Sequence, residues 1–141
     1  MRNSAGKQQP NNEPAIPGTG DLYKLIFENS SVGKSITSID GKLEVNQAFC
    51  EMLGYSEEEM HKLHWMEITH PDDIDASKQM VENLIKGIGK SARIEKRYLH
   101  KNGTIVWAAV NTYLQHDATG GAQYFITNIL DIHKSSRRKK N

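Results

Sequence analysis

The chain has 141 residues, of which 37% are hydrophobic and 25% charged, a length for one domain and a balance ordinary for a globular protein. No stretch approaches the ~18 consecutive apolar residues of a membrane-spanning helix, and residues 1–20 lack the apolar centre of a signal peptide. The net charge of +1 is uneven, with 11 basic and 16 acidic side chains in residues 21–133 and five basic ones in residues 134–141, so the body lacks the basic face of a nucleic-acid-binding domain.

Residues 1–20, rich in Pro, Gly, Asn and Gln, have little to bury and are expected to be disordered. An amphipathic helix is expected over residues 21–29, with Leu22, Leu25, Ile26 and Phe27 on one side. Residues 35–39 and 42–45 read as short strands around an Asp40-Gly41 turn. Asn46 is placed to cap a helix presenting Phe49, Met52 and Leu53, and Gly54 to end it. Ser56 and Glu59 have the S-x-x-E spacing of a capping box.

Pro71 suits the first position of a longer helix, with Asp72 and Asp73 in its positive first turn. Met80, Val81, Leu84, Ile85 and Ile88 repeat at helical spacing, and Gly87 and Gly89 close the run. Three strands are expected at residues 92–101, 104–115 and 122–132, joined at Asn102-Gly103 and at residues 117–121. Two strands, a block of helices and three more strands make an α+β domain with one antiparallel sheet.

Two stretches carry a family resemblance. N-Q-A-F-C-E-M-L-G-Y-S-E-E-E-M…I-T-H-P-D-D, from Asn46 to Asp73, is similar to the front of a PAS sensor domain. E-K-R-Y-L-H-K-N-G-T-I-V-W…Y-F-I-T-N-I-L-D-I, from Glu95 to Ile132, is similar to its back, the PAC motif, as found in bacterial and archaeal sensor histidine kinases. The resemblance implies a PAS fold, a five-stranded antiparallel sheet with short helices and one long helix packed on one face. Residues 21–133 would form that domain, and residues 134–141 a basic connector beginning an output helix.

Alternation in the strand 104–115 separates Val106, Ala108, Val110, Thr112 and Leu114 from Trp107, Ala109, Asn111 and Tyr113. Alignment with the family's Y-F-I pattern implies that Phe125, Thr127 and Ile129 point inward, as do Ile94, Lys96 and Tyr98. The candidate pocket is therefore Phe49, Trp65, Ile94, Tyr98, Ala108, Val110, Thr112, Phe125, Thr127 and Ile129. Tyr98, Thr112 and Thr127 are its hydrogen-bonding points in an otherwise apolar wall. A filled core with a satisfied tyrosine and two threonines is the plainer alternative. Lys96 is expected at the cavity edge, with its ammonium in water.

On the other face, Trp107, Tyr113, Tyr124, Ile126 and Leu130 are too apolar for a bare solvated surface. They are expected to lie under the first helix, through Leu22, Leu25 and Ile26, or against a second subunit, so a homodimer is expected.

The resemblance also bears on cofactors. In the flavin-binding light, oxygen or voltage sensors of this family, the reactive cysteine falls on Trp65 here and the asparagine before it on His64. The flavin-holding asparagines fall on Tyr98 and Ala108, and the glutamine on Ile129, so flavin of that kind is not expected. The haem-ligating histidine of oxygen sensors falls on Ser77, and haem is not expected either. An unknown small-molecule ligand is compatible with the pocket. His61, His64, His70, Asp72, Asp73 and Asp75 could be read as a metal cluster, but helix-start and turn roles explain them, and no metal is expected. The lone Cys50 excludes an intrachain disulfide, suits a reducing cytoplasm and reads as a small buried hydrophobe.

No P-loop, G-x-S-x-G or phosphoacceptor helix is present in the sequence, and no catalytic residues are expected. Small isomerases and dehydratases share the cone-like shape and are the weak enzyme alternative, requiring a buried ionisable pair. Asp131-Ile132-His133 stands where the family has D-I-T, with histidine replacing threonine. The resemblance implies that Asp131 ties the sheet to an output helix. The resulting expectation is a cytoplasmic input module of a multidomain signalling protein, with a two-component sensor histidine kinase the parent expected. It would bind a small ligand, dimerise, or both, with its effector domain as partner and no contact with nucleic acid or membrane. The alternatives are an interaction-only dimerisation module with a filled core and a cofactor-bearing redox or gas sensor.

Overall fold

Asn46 organises the first half of the domain. It is fully buried, and its side-chain oxygen accepts from Phe49 N (3.0 Å) and Lys34 N (2.9 Å). Its amide nitrogen donates to Phe27 O (2.9 Å) and Val32 O (3.0 Å). The expected helix cap is thus also a clamp joining three segments.

The computed structural model describes residues 19–132; the expectations for residues 1–18, for His133 and for the basic segment 134–141 lie outside the described residues. Helix α1 (Thr19–Glu28) starts inside the stretch expected to lack structure. Strands β1 (Gly33–Ser38) and β2 (Leu43–Val45) form the first hairpin. Helices α2 (Gln47–Leu53) and α3 (Glu57–His61), a 3-10 turn (Trp65–Ile68) and the long α4 (Pro71–Ile85) follow. Strands β3 (Ser91–Leu99), β4 (Ile105–His116) and β5 (Ala122–Asp131) complete the chain. The sheet order is β2-β1-β5-β4-β3 with every neighbouring pair antiparallel, so the first and last strands meet inside the sheet.

Local chemistry sets most boundaries. Gly54 ends α2 at φ 81° with its N–H on Cys50 O (2.7 Å), the left-handed cap that glycine adopts without a Cβ penalty. Ser56 and Glu59 form the expected reciprocal capping box. Helix α4 is capped by His70, whose Nδ1 accepts from Asp72 N (3.1 Å). Asp73, expected only to favour the helix start, instead receives three hydrogen bonds from Arg97 on β3.

The core lies between the sheet and the helical block. Phe49, Leu53, Met60, Ile68, Val45 and Ile129 are each at most 1% exposed, and burying a side chain of this size contributes about 1.5–3 kcal/mol. Cys50 belongs to the same cluster, where burial pushes its thiol up to about 11. On α4, Leu84 and Ser77 are buried and Ile85 is exposed, and the helix stops before Ile88, which is also exposed.

Candidate functional site

A cavity of about 50 Å³ sits between the inner face of the sheet and α4. Of the expected pocket residues, Phe49, Trp65, Tyr98, Val110, Thr112, Phe125 and Thr127 line it. Ile94, Ala108 and Ile129 do not: Ala108 and Ile129 are wholly buried in the hydrophobic core, with Ile94 packed against it. Ile94 and Ile129 share a cross-strand row with Val110, and Ala108 pairs with Lys96, but the side chains of these three pack into the core cluster instead.

The wall also holds side chains that the sequence reading did not include. Ser35 and Thr37 reach it because β1 buries Gly33, Ser35 and Thr37 and turns Lys34, Ile36 and Ser38 outward. This inverts the usual alternation, in which the isoleucine would be inside. Met80, Val81 and Ser77 close the cavity from α4, and Leu43 and Ile68 from β2 and the 3-10 turn. Ser77, the position aligned with the haem ligand of relatives, therefore does face the interior.

Polar groups in the cavity differ in how they are satisfied. Thr112 and Thr127 lie opposite each other on β4 and β5, and their hydroxyls are 3.1 Å apart in one hydrogen bond. Ser77 Oγ is buried with no hydrogen-bond partner. Tyr98 stacks edge-on to Phe49 at 5.4 Å, and burial raises the pKa of its phenol.

Lys96 departs from expectation. Instead of reaching water from the cavity edge, it is 5% exposed and lines the cavity. Its Nζ lies 5.2 Å from the Trp65 ring centre and 4.8 Å from that of Tyr98. Both rings line the same cavity as the Lys96 ammonium. Burial lowers its pKa from 10.5 to about 8, outweighing the opposing field of Asp73. The cavity wall therefore holds an ionisable side chain in addition to the expected hydroxyl groups.

The metal-like residues are dispersed by structure. Helix α3 stops at His61, so His61 and His64 do not share a helix face. His64 Nδ1 accepts from Met66 N (3.1 Å), and its ring lies against Gly41. Asp73 is held by Arg97. Among the described residues, no three His, Cys, Asp or Glu side chains converge on one point.

On the outer face, Tyr113 and Leu130 are 42% and 51% exposed, with Tyr124, Ile126 and Trp107 half-buried. Trp107 is stacked by the Arg97 guanidinium at 5.2 Å. Helix α1 buries Phe27 rather than Leu25 and Ile26, which are 50% and 57% exposed, with Leu22 half-buried. A polar row, Lys34, Asn128, Asn111 and Arg93, crosses this face in register, with Lys34 Nζ donating to Asn128 Oδ1 at 2.7 Å. At the sheet end, Ile132 N donates to Trp107 O (3.0 Å), beyond Asp131.

A five-stranded antiparallel sheet cupping a small cavity beneath one long helix defines a sensory α+β domain. The chain belongs to the family described as the PAS fold, whose model matches residues 42–129. It is 35% identical over 119 residues to the probable diguanylate cyclase DgcE of Escherichia coli (strain K12), covering 84% of this chain and 11% of that protein. It is 28% identical over 127 residues to the sensor histidine kinase TmoS of Ectopseudomonas mendocina, covering 89% of this chain and 13% of that protein. The chain thus spans little more than a tenth of the length of these relatives. Among solved structures, the PAS domain of a Colwellia psychrerythraea protein superposes with a TM-score of 0.75 at 19% identity, covering 81% of this chain and 97% of that one. This is a PAS sensor domain homologous to domains of multidomain signalling proteins, and no helix among its described residues is long and apolar enough to cross a membrane.

Proposed function

We propose that this domain is the cytoplasmic input module of a signalling protein, binding a small ligand in its interior cavity and passing the change along β5. The segment from Glu95 to Ile132 serves as its PAC motif. The parent effector is of the histidine kinase or diguanylate cyclase kind named in its relatives, and the domain itself performs no catalysis. The carrying observation is that β5 contributes Phe125 and Thr127 to the cavity and ends at Asp131. Four residues of strand span roughly 13 Å, so one rigid strand runs from the cavity to the output end. A ligand shifts that end only by binding one strand arrangement better than another. The cavity is far smaller than the ~300–1,000 Å³ of drug-sized sites, which favours a compact ligand over a flavin or haem.

The test needs no ligand identity. Val81→Phe places a ring in the cavity from the α4 side, and amide hydrogen exchange then reports on residues 129–132. Altered exchange at Ile132 supports coupling through β5; unchanged exchange there overturns it.

A second reading, dimerisation through the outer face, is favoured by the exposed Leu130, Tyr113, Leu25 and Ile26, an apolar grouping that usually has a partner. Leu130→Asp and Ile126→Asp should lower the sedimenting mass of the chain. A mass unchanged in both variants counts against the dimer.

A further inference from the structure

Lys96 presents three N–H donors and a charge to the interior, and no hydrogen bond or ion pair within the described residues uses them. Removing an ammonium from water costs several kcal/mol unless it is paired. Asp73, the carboxylate whose charge acts on Lys96, is held by Arg97 at 2.7, 2.8 and 3.0 Å. The rings of Trp65 and Tyr98 attract the cation, but each such contact recovers only part of that cost. A second polar group in the same cavity, Ser77 Oγ on α4, is 1% exposed and also lacks a partner. The Thr112 and Thr127 hydroxyls are occupied with each other. The remaining wall holds Ser35, Thr37 and Tyr98 beside a larger apolar set that includes Val81, Val110 and Phe125.

We propose that the cavity takes a small monocarboxylate, its carboxylate facing the Lys96 ammonium and the Ser77 hydroxyl, and its alkyl end against Val81, Val110 and Phe125. One negative charge neutralises the Lys96 cation, whereas a phosphate dianion would leave a net charge in a mostly apolar chamber. A water needs roughly 10–15 Å³ of such space. The cavity of about 50 Å³ therefore admits about four non-hydrogen atoms, the size of acetate. This assignment rests on the ligand-sensing reading above and specifies the ligand's chemistry.

Calorimetric titration of the 141-residue chain with formate, acetate, propionate and pyruvate tests it, with acetamide and propionamide as neutral isosteres and sodium chloride as the ionic control. Saturable binding of at least one carboxylate is expected, without binding of its amide or of chloride. In Lys96→Met, of similar length and without charge, binding should be about 100-fold weaker. In Ser77→Ala, should the first variant fail to fold, it should be weaker by about threefold to tenfold. Equal binding of carboxylate and amide, or by wild type and both variants, overturns the carboxylate assignment and leaves a ligand-binding cavity standing. No binding of any probe overturns the assignment; the ligand-sensing reading falls with it only if the chain isolated from cells also carries no added mass.

Discussion

Asp73 and Arg97 are joined by three hydrogen bonds, one from the Arg97 backbone N–H and two from its guanidinium. The pair fastens the start of α4 to the edge strand β3, and it commits the Asp73 carboxylate, whose charge acts on Lys96, to Arg97, whose side chain points away from the interior. Lys96, the preceding residue of the same strand, faces inward because strand side chains alternate. Its charge is left to two aromatic rings and an open cavity.

Replacing Lys96 by methionine should stabilise the empty domain at neutral pH. The folded-state value of about 8 lies below the ordinary 10.5, so the unfolded chain binds more protons between these values and stability rises with pH across that window. Below pH 8 the full penalty is present. Allowing for lost cation–π contacts, the variant should gain about 1–3 kcal/mol at pH 7. Asp73 from α4 favours the charged form, the exposed Asp131 ends β5 on the inner side, and Tyr98 keeps its proton throughout. Cys50 and Tyr98, both raised, work in the opposite direction above pH 9, so the readout is the difference between variant and wild type. Urea midpoints should show that gap shrinking from pH 8 to pH 10. A gap independent of pH would mean that Lys96 is solvated.

Asp73→Asn should cost about 1–2 kcal/mol, a figure held down by partial exposure of the pair. Hydrogen bonds from Arg97 hold the Asp73 carboxyl below its usual 3.8. Its contribution is therefore complete above that value and is lost as pH falls through the lowered one. Melting curves of the two proteins should differ at pH 6 and converge in acid. A constant difference down to pH 2 would contradict this assignment.

Asn46→Ala removes a helix cap and takes a partner from four backbone groups, two buried and two part-buried, so a loss of about 3 kcal/mol is expected. Asn46→Asp keeps the acceptor but aims a carboxylate at the carbonyls of Phe27 and Val32. It should be nearly as damaging. Wild-type stability in the aspartate variant, measured by urea unfolding, would show that only the cap matters.

Gly41 turns the β1–β2 hairpin at φ 95°, and a Cβ there would overlap the His64 imidazole. Gly41→Ala should cost about 1–3 kcal/mol from strain and crowding together. Adding His64→Ala should relieve the crowding and leave the strain, a coupling that a double-mutant cycle can read. Strict additivity would place His64 elsewhere.

The elements legible in the sequence are those set by local chemistry. The Asn46 cap, the Gly54 stop and the Ser56–Glu59 box each depend on a few neighbouring residues, and each stands as expected. The inner row of β5 was legible through the family pattern, and Phe125 and Thr127 do reach the cavity. What failed depended on distant partners. Lys96 is buried among cavity-lining side chains from α4, the 3-10 turn and β5 as well as its own strand, and no local pattern records that. Ser35 and Thr37 were invisible because β1 buries its small polar residues and leaves its isoleucine, Ile36, only half-buried on the outer face. Leu25 and Ile26 have the right helical spacing, but Asn46 holds the carbonyl of Phe27 and turns that residue inward instead.

Native mass spectrometry of the 141-residue chain purified directly from cells tests the central claim most directly, that this PAS domain senses through its interior cavity. The account predicts a species carrying one small adduct of a few heavy atoms, which disappears in Val81→Phe. Only the bare chain mass, or an adduct of flavin or haem size, would contradict it.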